Sequence, residues 1–451
     1  MSIFHVFRVS AAALLVSATS LAVKAESLPE ALAYAYSNNP EIASAFLSVR
    51  SARQAIRSAE GSLLPTVGAS GSYQASWTDT PQIPGENFND TVSLGLSYNQ
   101  TLFDNGASQL GIQVAEADYD AATHAATNTE QNVLLNVVTA YYNVISNQRI
   151  VGIRQENLSF VRAQLQAARD RLELGEGTRL EVAQAESAVA QASANYQAAV
   201  NNLRTSEATY ERYVGHAPSN LSGGMGVSHL LPSSMDAALS IATSGHPGLL
   251  ASQAQIRSAQ LEAQQTRAGF GPNVSVQGQA GLNGFTSGST ASSASVTLSL
   301  SIPIYTPTRD PSIQLANIGR MQSELDAFVT RDQIVEAVRQ AWAGMQTAGA
   351  QIESATAAVA ASRLAVQAVV DQSEVGQATT LDVLDAQSDL LIAEETLVSA
   401  QAQRNIATFS LISAMGKLTA ADLQLAVQPR DAEGAPITPS AAPTDSWSGL
   451  R

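Results

Sequence analysis

Hydrophobic and polar positions follow two different periods along this chain, and the change from one to the other marks its elements. From Thr66 to Trp77 the odd positions Val67, Ala69, Gly71, Tyr73, Ala75 and Trp77 alternate with Thr66, Gly68, Ser70, Ser72, Gln74 and Ser76. Val92, Leu94, Leu96 and Tyr98 alternate in the same way with Ser93, Gly95, Ser97 and Asn99. Val274 and Val276 alternate with Ser275 and Gln277, and Val296, Leu298, Leu300 and Ile302 with Thr297, Ser299 and Ser301. A period of two predicts four strands, over about 66–77, 91–103, 273–283 and 294–304. One apolar and one small polar face fits a barrel wall between lipid and water, and equally a half-buried soluble sheet.

Elsewhere the period is that of a helix. No proline occurs from Gly85 to Ala217 or from Ser312 to Gln428, and both stretches are rich in alanine, leucine, glutamine and glutamate, which favour helix. Long helices are predicted over 107–173, 179–214, 312–374 and 380–415. The first would run about 100 Å at 1.5 Å per residue, too long for a compact soluble domain. Leu158, Val161, Leu165, Ala168 and Leu172 follow three-four spacing. The returning helix continues it through Val182, Ala185, Val189, Ala192, Tyr196, Ala199, Leu203, Ser206, Tyr210 and Tyr213. That spacing predicts coiled-coil packing, with the alanines allowing close approach.

The pattern occurs twice. Pro40, Arg50, Ser51, Ala52, Pro65 and Val67 recur 207 positions later (247 − 40) as Pro247, Arg257, Ser258, Ala259, Pro272 and Val274. Gly175, Thr178, Leu180, Val182, Ala185, Ser187 and Gly215 recur 201 positions later (376 − 175) as Gly376, Thr379, Leu381, Val383, Ala386, Ser388 and Gly416. The chain thus divides into repeats over 26–220 and 221–425, too long a period for an ordinary solenoid. In each, a short helix stops before Pro40 or Pro247, a second runs to about Ser62 or Gly269, and two strands and a long helical hairpin follow.

Before the first repeat, residues 1–25 hold Arg8, an apolar run from Val9 and a small-residue end Val23-Lys24-Ala25. This reads as a secretory signal cleaved before Glu26, its apolar run being too short to anchor in about 30 Å of hydrocarbon. After the second repeat, 426–451, with Pro436, Pro439 and Pro443, reads as a disordered tail. No stretch approaches the roughly 20 apolar residues of a spanning helix, so passage through a membrane falls to the strands.

Chemistry is sparse. The absence of cysteine excludes disulfides, thiolate ligands and N-terminal lipidation, and His5, His124, His216, His229 and His246 lack metal-ligand spacing, reading as surface or loop residues. A net charge of −15 with 24 basic residues speaks against nucleic acid as a partner. No phosphate-binding glycine loop and no Ser/His/Asp arrangement is present, so neither an enzyme nor a cofactor or metal is expected.

Several short motifs, in order and in duplicate, resemble the TolC family. They are Leu28-Pro29-Glu30-Ala31-Leu32 with Asn39-Pro40, Leu102-Phe103-Asp104-Asn105-Gly106, Leu174-Gly175 with Leu180-Glu181-Val182-Ala183-Gln184-Ala185, and Val375-Gly376 with Leu381-Asp382-Val383-Leu384-Asp385-Ala386. Met415-Gly416-Lys417-Leu418-Thr419-Ala420 resembles members that serve type I secretion. The resemblance covers nearly all of 26–425. It implies a mainly helical homotrimeric channel-tunnel in which each chain gives four strands to a twelve-strand outer-membrane barrel in contact with lipid, and a helical tunnel crosses the periplasm. The partners it implies are a periplasmic adaptor and an inner-membrane transporter. One point follows from the strands themselves: four are too few for a membrane barrel, which needs about eight, so a lipid-spanning role demands oligomers.

The resemblance also implies site residues. Asp382 and Asp385 match the family's constriction aspartates and lie three apart, on one face of a helix start. Thr379-x-x-Asp382 and Thr178-x-x-Glu181 equally resemble capping boxes, a reading that leaves Asp385 unexplained. Gly175 and Gly376 mark hairpin tips facing the adaptor. Ser373 and Ala378 stand where the family has the tyrosine and arginine that help hold its best-known member shut, which leaves Arg179 and Glu181 as candidates for constriction or adaptor contact. The second half also lacks Phe-Asp-Asn-Gly before its long helix, reading Thr306-Pro307-Thr308-Arg309-Asp310-Pro311 instead. A different class, a periplasmic coiled-coil adaptor or structural interaction protein, also combines hairpins with strands, but usually has one hairpin and a lipoyl-like domain.

Overall fold

The computed structural model describes residues 25–80, 83–285 and 288–428; the expected signal, apart from its last residue, and most of the expected C-terminal tail lie outside the described residues. In order, the elements are α1 (Leu28–Asn38), α2 (Pro40–Gly61), β1 (Thr66–Thr80), β2 (Ile83–Phe103), α3 (Ala107–Glu173) and α4 (Arg179–Val214). The same order then repeats as α5 (Met235–Gly245), α6 (Pro247–Ala268), β3 (Asn273–Phe285), β4 (Thr290–Ser301), α7 (Arg309–Glu374) and α8 (Thr380–Ala414). At 67 and 66 residues, α3 and α7 are rods of about 100 Å.

Proline and its cap separate the short helices in both repeats. Pro40 begins α2 with its fixed φ, where its missing N–H removes nothing from the helix. Asn39 caps it, Oδ1 accepting from the backbone N of Glu41 at 2.8 Å and of Ile42 at 3.4 Å. At the equivalent place, 207 positions on, Pro247 begins α6 and His246 is the cap, its Nδ1 accepting from Gly248 N at 3.1 Å. His246 thus sits in the one-residue link between α5 and α6, within the surface-or-loop expectation, but it is partly buried and has a structural role. Desolvation holds its pKa below the ordinary value, a contact with the Ser413 carbonyl pulling weakly the other way, and the acceptor role needs a neutral ring.

The four strands form one antiparallel sheet in the order β1-β2-β3-β4. Rows across it pair like with like: Val67 with Tyr98, Tyr98 with Gly278 and Gly278 with Val296; then Ala69, Leu96, Ala280 and Ala294. The intervening rows, such as Gly68, Ser97, Gln279 and Ser295, are small or polar. Several boundaries differ from the pattern-based expectation: β1 runs to Thr80 and β3 to Phe285, past 77 and 283, and β2 starts at Ile83, ahead of 91. β4 covers 290–301 and not 294–304, because Pro303 cannot donate to a ladder. α7 starts at Arg309 and not at 312, since Pro311 sits in the first turn, where a missing N–H costs nothing.

Along the hairpins, small residues at seven-residue spacing face inward. Ala185, Ala192 and Ala199 of α4 are buried, as are Ala327, Ile334, Ala348 and Ala355 of α7 and Ala393, Ala400 and Ala407 of α8. This brings helix axes close with little apolar bulk. The main apolar core lies midway along the rods, where α1, α5, the 221–231 connection and the segment after α8 wrap Leu134, Val137, Val138, Tyr141, Val338, Phe409, Leu411 and Ile412.

The cap at His246 makes a testable point. A group whose folded pKa is depressed contributes stability that is present above its unfolded value, about 6.5 for histidine, and is lost as the pH falls through the folded value. Denaturation midpoints between pH 7.5 and 5.5 are expected to fall in the native protein and to fall less in His246→Asn, which installs the first repeat's cap. His246→Ala is expected to cost about 1 kcal/mol at neutral pH.

Candidate functional site

The hairpin tips are built twice from the same parts. Gly175 and Gly376 take φ of 80° and 78°, the left-handed conformation that lets a helix end in a tight reversal. Glu176 N donates to Arg171 O at 2.9 Å and Gln377 N to Gln372 O at 2.8 Å, which closes each helix end. Three residues later Thr178 and Thr379 start the returning helices, each with a capping box.

The capping boxes use two of the residues singled out in the sequence. Thr178 N donates to Glu181 Oε2 at 2.9 Å, and Glu181 N to Thr178 Oγ1 at 3.2 Å. In the second tip Thr379 donates to Asp382 Oδ2 from its backbone N at 2.8 Å and from its Oγ1 at 2.7 Å, while Asp382 N returns a 3.3 Å bond. The backbone hydrogen bond from Thr379, with its hydroxyl second, holds the Asp382 carboxyl below the usual range, so it stays ionised. Asp385, one turn on, is exposed and takes no part in the box. The pair therefore presents one carboxylate fixed to the helix start and one directed at solvent. Arg179 is exposed at the first residue of α4, and no ion pair joins it to Glu181 among the described residues.

A residue not singled out in the sequence joins the two tips. Arg171, in the last turn of α3, reaches the second hairpin, donating from Nη2 to Thr380 Oγ1 at 3.1 Å and from Nη1 to Ser373 Oγ at 3.5 Å. Thr380 is buried beneath it. Its partners stand 202 and 209 positions away, so no local spacing marks it. The available signal is the repeat itself: Arg171 on the first tip aligns within a residue of Ser373 on the second.

This contact ends a polar seam between α3 and α8. Arg149 Nη1 donates to Gln401 Oε1 at 3.0 Å, Arg154 pairs with Glu395 through both guanidinium edges, with Nη2 to Oε2 at 2.7 Å, and Gln387 Nε2 donates to Asn157 Oδ1 at 3.3 Å. Hydrogen bonds and charge thus join the hairpins of one chain toward the tip end, beside a small apolar cluster in which Leu384 packs near Leu158 and Val161, whereas the main apolar core lies at mid-length. At the opposite end the sheet is exposed on both faces, and among the described residues β1 and β4 each have one unpaired edge.

The family model for outer membrane efflux proteins matches residues 31–216 and 238–417, one match per repeat. The chain is 33% identical over 448 residues to the outer membrane efflux protein BepC of Brucella suis biovar 1, covering 98% of this chain and 96% of that one. It is 26% identical to the outer membrane protein TolC of Vibrio cholerae, covering 90% and 94%. Among solved structures, the CmeC outer membrane channel of Campylobacter jejuni superposes with a TM-score of 0.76 at 16% identity, covering 86% and 85%.

The two aspartates are expected to differ in a structural assay. Thr379→Ala removes the box and should speed amide exchange in the first turn of α8, whereas Asp385→Asn should leave it unchanged. Because the folded pKa of Asp382 is depressed, the box is fully present above about pH 4 and is lost as the pH falls through the folded value. Equal exchange in both variants at neutral pH would contradict this division of roles.

Proposed function

The chain belongs to the outer membrane efflux protein family, and we propose that three copies close their sheets into one twelve-strand barrel above a tunnel made of their six hairpins. The protein is an outer-membrane exit duct extending into the periplasm, the terminal stage of a tripartite efflux pump or type I secretion system. Three chains of four strands give twelve, enough to close a lipid-spanning wall, which one chain's four cannot form.

The observation that carries the trimer is the open sheet. Its apolar rows, Val67 to Val296 and Ala69 to Ala294, suit lipid, its serine- and glycine-rich rows suit a wet lumen, and its two unpaired edges suit neighbours. A second feature agrees. Leu315, Ile318, Met321, Leu325 and Phe328 form an exposed stripe along α7, fit for a neighbouring chain's helices.

In this reading the tips of all three chains meet at the periplasmic end. Asp382 and Asp385 would each be repeated by the threefold axis as stacked acidic rings, drawing cations and binding multivalent ones. Arg171, bound to Ser373 and Thr380, supports holding the two tips of a chain together in the resting state, the role for which Arg179 or Glu181 stood as candidates. Arg179, exposed on the outer turn, is then free for an adaptor. The relatives are channel proteins, and conduction here is passive, with free energy coming from an inner-membrane transporter reached through the adaptor.

Single-channel recording in planar bilayers tests the arrangement. Native trimers are expected to show cation selectivity and block by a trivalent cation. In Asp382→Ala, Asp385→Ala the block should be lost and the selectivity weakened, while Arg171→Ala should raise conductance without changing selectivity. Unchanged block in the double variant would place these carboxylates outside the pore.

A further inference from the structure

Glu26, directly after Val23-Lys24-Ala25, is only 9% exposed and is held on every side. Tyr210 Oη donates to its Oε1 at 2.7 Å, Ser219 Oγ to its Oε2 at 3.5 Å, and His216 Nε2 lies 3.3 Å from Oε1. Its backbone is engaged as well. Tyr141 Oη and Ser222 N both donate to its carbonyl at 3.1 Å, and its own N donates to Ser219 O at 3.4 Å. The cluster joins α3, the end of α4 and the connection between the repeats, directly below the buried Leu28, Ala31 and Leu32 of α1.

The charges within this cluster do not balance. Tyr141 and Tyr210 are fully buried, and desolvation pushes the Tyr141 hydroxyl up to about 12 and that of Tyr210 higher, with nearby Glu26 adding to both and Glu30 to Tyr141. Both therefore stay neutral donors. Among the described residues the one cationic partner of Glu26 is His216, which is charged only when protonated. Taking a carboxylate out of water costs less when a positive charge lies beside it.

We propose that cleavage of the Ala25–Glu26 peptide bond supplies the missing cation, because the new α-ammonium of Glu26 stays in the cluster and neutralises the buried carboxylate of the same residue. The step is hydrolysis by a signal peptidase. Water adds across the amide, the bond between Ala25 carbon and Glu26 nitrogen breaks, Ala25 leaves as a carboxylate and Glu26 keeps its nitrogen as an ammonium. Ala25 is partly exposed, so an uncleaved chain has room to leave. What the precursor lacks is the charge.

The lysine content of the chain makes this measurable. Lys24 and Lys417 are its lysines. Lys24 departs with the leader, so the mature protein carries two amines, on Glu26 and on the half-exposed Lys417. Purified native trimer is treated with an amine-acetylating reagent at neutral pH and read by mass spectrometry, beside a chain with Ala-Ala inserted between Ala25 and Glu26 whose mature end is placed by peptide sequencing. Lys417 is expected to react in both; the Glu26 amine should be protected by at least about tenfold until the protein is unfolded, and the extended terminus should not be protected.

A pH series supplies an independent readout. Pairing raises the folded pKa of the amine above its unfolded value of about 8, so the stability it gives is full below pH 8 and is lost as the pH rises through the folded value. Native protein should lose stability over that range, whereas the extended chain and Glu26→Leu, which lacks the carboxylate, should not show this loss. A mature end other than Glu26, or a Glu26 amine that reacts as fast as the extended one, overturns the proposal. Conductance of the same samples is scored separately, so the duct reading and this one fail independently.

Discussion

A peptide group in hydrocarbon has no water to bond, and each N–H or C=O left unpaired there costs several kcal/mol. That constraint governs the molecule. The sheet satisfies its interior by three antiparallel ladders but, among the described residues, leaves one edge of β1 and one of β4 open, with an apolar face that no described element covers. Closure by copies of the chain removes both edges at once, and the duplicated sequence is suited to it, because each repeat supplies an equivalent hairpin of strands and an equivalent hairpin of helices.

The helical part answers a different demand. A tunnel wall must be wet on one side and still hold long rods together, so the inward positions are mostly alanine at seven-residue spacing and the amphipathic stripes are narrow. Apolar packing is concentrated at mid-length, where the short helices and the connection between repeats form the core around Tyr141 and Phe409. Toward the tips the link between hairpins becomes polar, through Arg149, Arg154, Asn157 and Arg171. Such links exchange with water at small net cost, whereas buried apolar contacts do not.

Element types were legible where the period was local. The alternation through Val92, Leu94, Leu96 and Tyr98, and the proline-free helical stretches, carry their own signal in adjacent residues. Register was not legible, because pairs such as Tyr98 with Gly278 join residues 180 positions apart (278 − 98), and neither was the irregularity between Thr101 and Phe103. The start of α7 was misplaced because Pro311 suggests a break when read alone, yet is harmless in a first turn. At the tips, Thr379-x-x-Asp382 announced its cap, while Arg171 was silent because its hydroxyl partners lie on the other hairpin. His246 had a signal that single-residue reading passes over: at a shift of 207 it aligns with the cap Asn39.

The claim on which the rest depends is that β1 of one copy pairs with β4 of the next. The chain has no cysteine, so introduced pairs report without background. One cysteine is fixed at Ala69 on β1 and the other is moved along β4 from Ala291 to Ser299, and mild oxidation in outer-membrane preparations is followed by denaturing electrophoresis. The account predicts that one narrow register of β4 positions yields covalent dimers and trimers and nothing larger, as a ring of three requires. Products that stay monomeric at every register, or a ladder that continues beyond three, would contradict it.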